Sequence, residues 1–165
     1  MEIELHSRKY PGLVALVDDC DVGSLSRHRW NVMRVKSVYR PVRVIRLHGK
    51  QYTILMSRQI MGLEAGDKRI VDHWNHDTLD HRRFNLRVAT CRQNRMNENP
   101  CRGGYSAFKG VSADPRYGKW RAQIKVSGRV TALGYYADER LAAEAYNRAA
   151  RQFFGEFACI NGGIA

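Results

Sequence analysis

Short apolar stretches, some of them alternating with basic residues, dominate the first third of the chain. The strand-like stretches lie at residues 13–17, 33–36, 42–44 and 52–55. Turn-prone residues follow the first stretch at 18–21, and a glycine-centred turn at 48–50 precedes the last. Because side chains alternate between the two faces of a strand, the valines are predicted to face inward and three basic side chains to face solvent: Arg34, Lys36 and Arg43. The pattern therefore predicts a β-rich basic region at residues 1–66.

A strand, a polar loop, a second strand and a helix are predicted in that order between residues 67 and 98. The brief strand at 69–71 ends at Asp72-His73, and the returning strand at 85–89 follows the polar loop. Thr90-Cys91-Arg92-Gln93 fits a capping box, in which two side chains satisfy amides at the start of a helix. Asn94 is then expected near the start of this helix, on a turn that can face Asp72.

A second sheet and a long helix are predicted after a break in the chain. The break at 99–105 is polar, contains Pro100 and a pair of glycines, and is typical of a linker. The predicted strands lie at 108–111, 117–125 and 129–136. Asp138 is expected to cap a helix at 139–154 that ends at Gly155 and carries small apolar residues at helical spacing. Residues 106–162 thus predict a three-stranded antiparallel sheet packed on one helix, and the whole chain is assigned to the α+β class.

The charge of the chain indicates a polyanionic partner. Its 165 residues include 28 Lys and Arg against 16 Asp and Glu, which gives a formal net charge of +12. Nine of the basic residues, and no acidic residue, lie between Ser24 and Arg58. Such a surface attracts nucleic acid, because neutralised phosphates release condensed counterions. A solvated charged surface, or a basic face for anionic membrane, is the alternative; double-stranded DNA is the predicted partner.

The sequence lacks the usual signals of membrane and secreted proteins. No apolar run approaches the roughly 20 residues of a membrane-spanning helix, and the charged first residues do not resemble a signal peptide. The four cysteines are scattered without a Cys-x-x-Cys pair, which argues against structural zinc and favours reduced thiols. We therefore expect a cytoplasmic protein with no membrane partner, and a monomer is the favoured state.

A carboxylate beside a histidine, in a basic chain, is what metal-assisted cleavage of a phosphodiester requires. Asp72-His73 is followed by Asn85-Leu86-Arg87 and then by Asn94. This pattern resembles the HNH endonucleases of phage and homing type, which share a ββα-metal fold. The resemblance implies that His73 is the general base that activates water and that Asn85 orients its ring. It also implies that Asp72 and Asn94 hold one divalent cation, Mg²⁺ or Mn²⁺, against the scissile phosphate.

The loop between the two predicted strands departs from the family pattern. His81 stands where family members carry Asn, and Trp74 and Phe84 add aromatic residues that are unusual there. His76 and His81 are expected to face phosphate or to support the loop, because the spacing of the loop histidines matches no known zinc motif. The sequence leaves the roles of both histidines open.

The sheet and helix predicted for the last third of the chain contain several short motifs. They are Lys109-Gly110-Val111, Gly118-Lys119-Trp120, Leu133-Gly134-Tyr135-Tyr136, Ala142-Ala143 with Ala145-Tyr146, and Gly155 with Phe157, Ala158 and Asn161. These motifs resemble the Apetala-two/ethylene-response-factor DNA-binding domain. The resemblance implies that the sheet lies in the major groove of DNA and that its outward residues contact bases and phosphates: Lys109, Arg116, Arg121, Gln123 and Lys125. Trp120, Ala122 and Ile124 are expected to face inward.

The combination of the two segments predicts the function. A nuclease core grips the DNA backbone and has little sequence preference, and a tethered sheet that reads base edges supplies that preference. We therefore predict a site-directed, divalent-metal-dependent DNA endonuclease of homing or phage type. The alternative is a non-catalytic DNA-binding regulator with a vestigial nuclease core. A nuclease or binder of structured RNA is a third possibility.

Overall fold

The computed structural model describes residues 1–99 and 105–162. The chain divides into two compact units, Met1–Cys91 and Arg92–Ala165. Both units combine strands with helices, in agreement with the predicted α+β class. The division into four segments (1–66, 67–98, 99–105 and 106–162) stays a prediction. Most of the predicted linker at 99–105 lies outside the described residues. None of the described helices combines the length and apolar character that crossing a bilayer requires.

Three small antiparallel sheets and two short helices make up the first unit. Its elements are β1 (Glu2–Glu4), β2 (Val14–Leu16), α1 (Asp19–Leu25), β3 (Asn31–Val35), β4 (Val38–Leu47), β5 (Lys50–Leu55), α2 (Met56–Ile60), β6 (Ile70–His73) and β7 (Leu86–Ala89). β1 pairs with β2, β4 lies between β3 and β5, and β6 pairs with β7. One turn of 3₁₀ helix at Arg83–Asn85 leads into β7. The strands predicted around the loop histidines are therefore confirmed to within a residue or so.

The core of the first unit gathers apolar residues from every part of its chain. The buried members are Ile3, Leu5, Ala15, Val17, Leu25, Trp30, Met56, Ile60 and Leu86. The indole N–H of Trp30 donates to the carbonyl oxygen of Leu25 at 2.9 Å, so this buried polar group is satisfied. Leu86 anchors the start of β7 in this core, directly after the residue predicted to orient His73.

Residues 18–21, predicted as a turn, instead begin helix α1. Asp18 precedes the helix in an extended conformation, and Asp19 and Asp21 lie in its first turn, where carboxylates interact favourably with the helix dipole. Turn-prone residues also start helices, so the local pattern does not separate the two structures. Asp18 and Asp21 accept hydrogen bonds from the backbone N–H and the guanidinium of Arg83. Helix α1 thereby holds the segment that precedes Asn85.

The basic strands β3 and β4 differ in two details from the sequence prediction. Lys36 does not lie on a strand: it is a turn residue with φ of 56°, because Val35 pairs with Val38 and closes a two-residue turn. The valines also do not all face inward. Val42 is buried, whereas Val35 and Val44 are exposed. Other residues cover one face of this small sheet only partly. The alternation pattern therefore predicted more buried side chains than the structure contains.

The described residues of the second unit form one three-stranded sheet, one long and one short α-helix, and one turn of 3₁₀ helix at Gly155–Phe157. Its elements are α3 (Cys91–Met96), β8 (Val111–Asp114), β9 (Lys119–Val126), β10 (Arg129–Tyr136) and α4 (Glu139–Phe154). The strands are antiparallel, with β9 in the centre, and α4 packs on the sheet. The predicted architecture is confirmed, although the first strand begins at Val111, three residues later than predicted. Trp120, Ala122 and Ile124 point towards the helix side, as the alternation predicted.

Close packing and capping fix the second unit. The Asp138 side chain accepts a hydrogen bond from the backbone N–H of Arg140, which confirms the predicted cap of α4. Asn161 exchanges hydrogen bonds with the backbone N–H and carbonyl of Lys109, tying the end of the chain to the start of the sheet. Gly110 has φ of 75°, and a Cβ there would lie 2.0 Å from the Tyr146 ring. Only glycine fits at this position.

Candidate functional site

The hairpin formed by β6 and β7 brings three of the predicted site residues together. In its antiparallel register, Asp72 pairs with Arg87 and His73 pairs with Leu86. One residue further, the Trp74 N–H donates to the Asn85 carbonyl at 2.9 Å. Asp72, His73 and Asn85 therefore lie at the loop end of one hairpin, where the sequence predicted them.

Asn85 is fully buried, and its amide holds the backbone of the loop. Its Oδ1 accepts from the Asn75 N–H at 2.9 Å, and its Nδ2 donates to the Asp80 carbonyl at 2.8 Å. These two bonds join both ends of the loop to the start of β7. That Asn85 orients the His73 ring stays a prediction. Because these two bonds hold the loop backbone, any influence of Asn85 on the direction of the ring would act through the loop.

The loop is also tied to other parts of the first unit. The His81 N–H donates to the Leu16 carbonyl at 2.7 Å, and the Leu16 N–H donates to the Leu79 carbonyl at 2.9 Å. The Thr78 hydroxyl donates to the Tyr39 carbonyl at 2.7 Å. Because three separate contacts fix its backbone, this irregular loop is a rigid support for side chains.

Two imidazole rings meet inside this site. His73 Nε2 lies 3.3 Å from His81 Nδ1, and the ring planes are inclined at 64° with centroids 5.1 Å apart. Burial lowers the pKa of His73 to about 4, against the opposing influence of Asp72 and other loop carboxylates. Burial, and then the neighbouring His73, lower the pKa of His81 to about 3. Both rings are therefore neutral at physiological pH, and His73 keeps a lone pair that can accept a proton.

The carboxylate of Asp72 is buried and paired with Arg87. Arg87 Nε lies 2.8 Å and its Nη2 2.7 Å from Asp72 Oδ2. The pair follows from the register of the hairpin, which places the two residues directly opposite each other. The arginine fixes the carboxylate beside His73 and offsets part of its charge.

The donor groups around Asp72 fit a hard cation better than a zinc-type cage. Across residues 1–99 and 105–162, no three His, Cys, Asp or Glu side chains come together as a metal cage. Mg²⁺ is often bound through one or two carboxylates, with water and substrate phosphate oxygens completing its shell. Asp72 fits that mode, because it supplies one carboxylate at the hairpin end.

Asn94, the second predicted cation ligand, lies on α3 and belongs to the second unit. Its side chain is half-buried. The helix itself confirms the sequence prediction, since it begins one residue after Thr90. The metal role of Asn94, and with it the ββα-metal assignment, stays a prediction.

The three basic residues predicted for DNA contact in the first unit have different surroundings. The Arg34 guanidinium lies over the rings of Tyr10 and Tyr39, at 5.7 and 5.8 Å from their centroids. Arg43 Nε donates to Gln59 Oε1 at 2.7 Å and is half-buried. Lys36 is exposed at the turn described above. Arg34 and Lys36 remain accessible to a phosphate, whereas Arg43 already serves the packing of α2 on β4.

The outward residues of the second sheet also differ among themselves. Lys125 is exposed, and Arg121 and Gln123 are half-buried on the face opposite the helix. Arg116 is exposed and lies 3.7 Å from Asp114. The Lys109 ammonium instead donates to the carbonyl oxygens of Met96 and Glu98, so a phosphate would have to compete with these internal bonds. The DNA role of all five predicted residues stays a prediction.

The sequence does not single out Arg40, and it leaves open the role of His81, which contacts His73 directly. Burial is the main cause of the lowered pKa of His73, and the positive charge of Arg40, on β4 next to Tyr39, is a smaller cause in the same direction. Neither could be assigned from spacing, because the contacts that place them run to Leu16 and Thr78 in other elements. Arg40 adds a positive charge near a site that is predicted to handle phosphate.

Comparison with known proteins gives a partial match. The chain is 31% identical over 117 residues to a protein of Acanthamoeba polyphaga mimivirus named as an uncharacterised HNH endonuclease. The match covers 71% of this chain and 57% of that protein, so the chain spans little more than half the length of this relative. No protein-family model and no solved structure matches the chain significantly. The similarity supports a relation to HNH-type nucleases, and the resemblance of the last third to the Apetala-two/ethylene-response-factor domain stays a prediction.

Proposed function

We propose that this protein is a divalent-metal-dependent DNA endonuclease whose cleavage site lies at the loop end of the β6–β7 hairpin. The observation that carries the proposal is the placement of neutral His73 beside the buried carboxylate of Asp72. The similarity to a protein named as an HNH endonuclease supports the same class of activity. The net charge of +12 favours a polyanionic substrate.

His73 is the general base in this proposal. A neutral imidazole accepts a proton from water as the water attacks the phosphorus atom, and one ester oxygen leaves. Asp72 would hold the cation, which stabilises negative charge on the phosphate and on the leaving oxygen when it is bound. Arg87 fixes the direction of the Asp72 carboxylate. The positive charge of Arg40, which is a minor cause of the lowered pKa of His73, would favour a phosphate group near this site.

The second unit supplies DNA affinity and site preference in this proposal. The face of its sheet opposite α4 carries Arg121, Gln123 and Lys125 on the central strand. Outward side chains at every second position of a strand can follow a DNA groove, with basic residues on phosphates and an amide on a base edge. The homing or phage origin, the cytoplasmic location and the monomeric state remain predictions from the sequence.

One observation favours the alternative of a non-catalytic DNA-binding regulator. The Asp72 carboxylate is already paired with Arg87, and a vestigial site would keep such a pair for its structural value alone. The two functions differ in a simple outcome. The regulator binds DNA without breaking it, whereas the nuclease breaks it when a suitable cation is present.

The proposal is tested by incubating the protein with supercoiled plasmid in Mg²⁺, in Mn²⁺ and in EDTA. The expected result is relaxed or linear plasmid with either cation and intact plasmid in EDTA. Relaxed circles indicate cleavage of one strand, and linear product indicates cleavage of both. Retarded but intact plasmid with both cations would identify the regulator and refute the nuclease. A hairpin RNA tested in parallel distinguishes the RNA alternative.

A further inference from the structure

Two large aromatic side chains are exposed at the loop end of the β6–β7 hairpin. Trp74 is 59% exposed and Phe84 is 68% exposed. A single exposed apolar residue is common on a protein surface, but here two aromatic rings lie at the same end of one hairpin. The chemistry proposed above uses neither ring. Because burial of such rings is strongly favourable, a partner that covers them gains affinity.

The two aromatic residues flank residues of the proposed cleavage site. Trp74 directly follows His73, and Phe84 directly precedes Asn85. The Trp74 N–H donates to the Asn85 carbonyl at 2.9 Å, so the backbones of Trp74 and Phe84 lie within one residue of each other across the hairpin. A phosphate that reaches His73 brings its neighbouring nucleotides to these rings, because consecutive base pairs are only about 3.4 Å apart along DNA.

The ring of Phe84 is held from one side. The Arg82 Cζ atom lies 4.7 Å from the centroid of the ring. The guanidinium is itself fixed by two hydrogen bonds of 2.9 Å to the carboxylate of Asp80, which is almost fully buried. The attraction between the cation and the ring orients Phe84 before any partner binds. A ring oriented in advance loses less conformational entropy on binding.

We infer that Trp74 and Phe84 contact DNA and stack on bases next to the scissile phosphate. The inference rests on the proposed function, since it requires that the hairpin end faces DNA. Aromatic side chains suit this role because every base has a π-face, and apolar wedges can enter duplex DNA between base steps that they unstack. The net charge of +12 favours DNA over an uncharged apolar partner as the occupant of this end of the hairpin.

The contribution of the rings to affinity is tested with Trp74→Ala and Phe84→Ala. Tyr52→Ala is the matched control, because Tyr52 is an aromatic residue of β5 in the same unit and is 44% exposed. Binding to duplex DNA is measured in EDTA, so that cation-dependent cleavage does not intervene. The loss of one stacked ring should weaken binding by about 5- to 150-fold, whereas the control stays at the wild-type affinity. Trp74→Phe should retain most of the affinity.

The salt dependence of binding distinguishes stacking from a charge effect. Neither ring neutralises a phosphate, so its removal releases no fewer counterions. We therefore expect the slope of log affinity against log salt to be the same in both alanine variants as in the wild-type protein. A shallower slope in both variants would mean that they lose phosphate contacts, and it would contradict the stacking role.

Stacking is also observed directly by tryptophan fluorescence. In a Trp120→Phe background the remaining indoles are the buried Trp30 and the exposed Trp74. Stacking on a base quenches the emission of an indole. Duplex DNA in EDTA should therefore quench Trp74, whereas heparin, a polyanion without bases, should not. When Trp74→Phe is added to this background, DNA should leave the emission of Trp30 unchanged.

Three results would refute the inference. They are affinities of both folded alanine variants within about twofold of wild type, equal quenching by heparin and DNA, and a dimer of the free protein that Trp74→Ala converts to a monomer. The last result would identify a second copy of the chain as the occupant. Circular dichroism shows whether the alanine variants are folded. If they are not, the quenching experiment still decides the question.

The outcomes also separate this inference from the proposed function. Quenching by DNA in a protein that cleaves plasmid with neither Mg²⁺ nor Mn²⁺ would refute the nuclease and support the stacking role. Cleavage by a wild-type protein whose indole emission DNA does not quench, and whose alanine variants bind as tightly, would refute stacking and leave the nuclease proposal intact.

Discussion

Replacing Asn85 by Ala should destabilise the first unit more than replacing the exposed Asn75 of the same loop. Asn85 is completely buried, and its amide bonds to the Asn75 N–H and the Asp80 carbonyl. The second of these bonds is itself buried, so its loss leaves a carbonyl without a partner, at about 1–3 kcal/mol. The first bond lies nearer to solvent and adds about 0.5–1.5 kcal/mol. The expected loss is therefore about 2–4 kcal/mol of unfolding free energy.

The measurement is urea unfolding followed by tryptophan fluorescence. Trp120 belongs to the second unit, so a Trp120→Phe background leaves Trp30 and Trp74 as reporters of the first unit. Asn75→Ala is the matched control, because that side chain is exposed and water can replace its hydrogen bonds. We expect the control to lose less than about 1 kcal/mol.

Two results would refute this reasoning about Asn85. A loss below about 0.5 kcal/mol in Asn85→Ala would mean that its amide does not hold the loop, since changes of that size are typical of surface positions. An equal loss in Asn75→Ala would mean that the loop depends on its own internal bonds and not on the buried amide.

Three further outcomes are expected. Gly110→Ala should destabilise the second unit by several kcal/mol in thermal unfolding, because its Cβ would meet the Tyr146 ring at 2.0 Å. Gly128→Ala has open space for its Cβ and should lose only about 1 kcal/mol. Equal losses in the two variants would contradict the packing argument. Lys125→Ala should weaken DNA binding and reduce the slope of log affinity against log salt by about one unit; an unchanged slope would show that this face does not contact DNA. Burial lowers the pKa of His81 to about 3, below the 6.5 of an exposed imidazole. Between these two pH values the unfolded chain binds more protons than the folded one. The free energy of unfolding should therefore fall as the pH drops from 7 to 4. His81→Asn should lose less stability over this range in urea unfolding, and an identical loss would show that His81 is not the titrating group.

The sequence predicted the elements whose signal is local. The hairpin that carries Asp72 and His73 was placed correctly, because short alternating strands flank an unmistakably polar loop. Helix α4 was predicted from its cap, its stripe of small residues and the terminal Gly155. In both elements, the residues that determine the structure lie within the element itself.

The features that the sequence did not predict depend on distant contacts. Helix α1 begins with aspartates that also favour turns, and its stability comes from Leu25 in the core and from Arg83, about sixty residues away. The burial of His81 depends on the Leu16 backbone, and the role of Lys109 depends on the end of α3. The irregularity between Ala132 and Gly134 in β10 likewise has no local signal. Spacing along the chain contains no information about such partners.

The central claim is that His73 acts as the base in DNA cleavage, and one comparison of plasmid cleavage rates tests it most directly. His73→Asn is compared with His48→Asn, in the same unit, where an exposed turn residue with positive φ tolerates asparagine. With Mg²⁺ and equal DNA binding, the account predicts that His73→Asn is slower than wild type by about 100-fold or more and that His48→Asn is unchanged. Cleavage by His73→Asn at the wild-type rate would contradict the account.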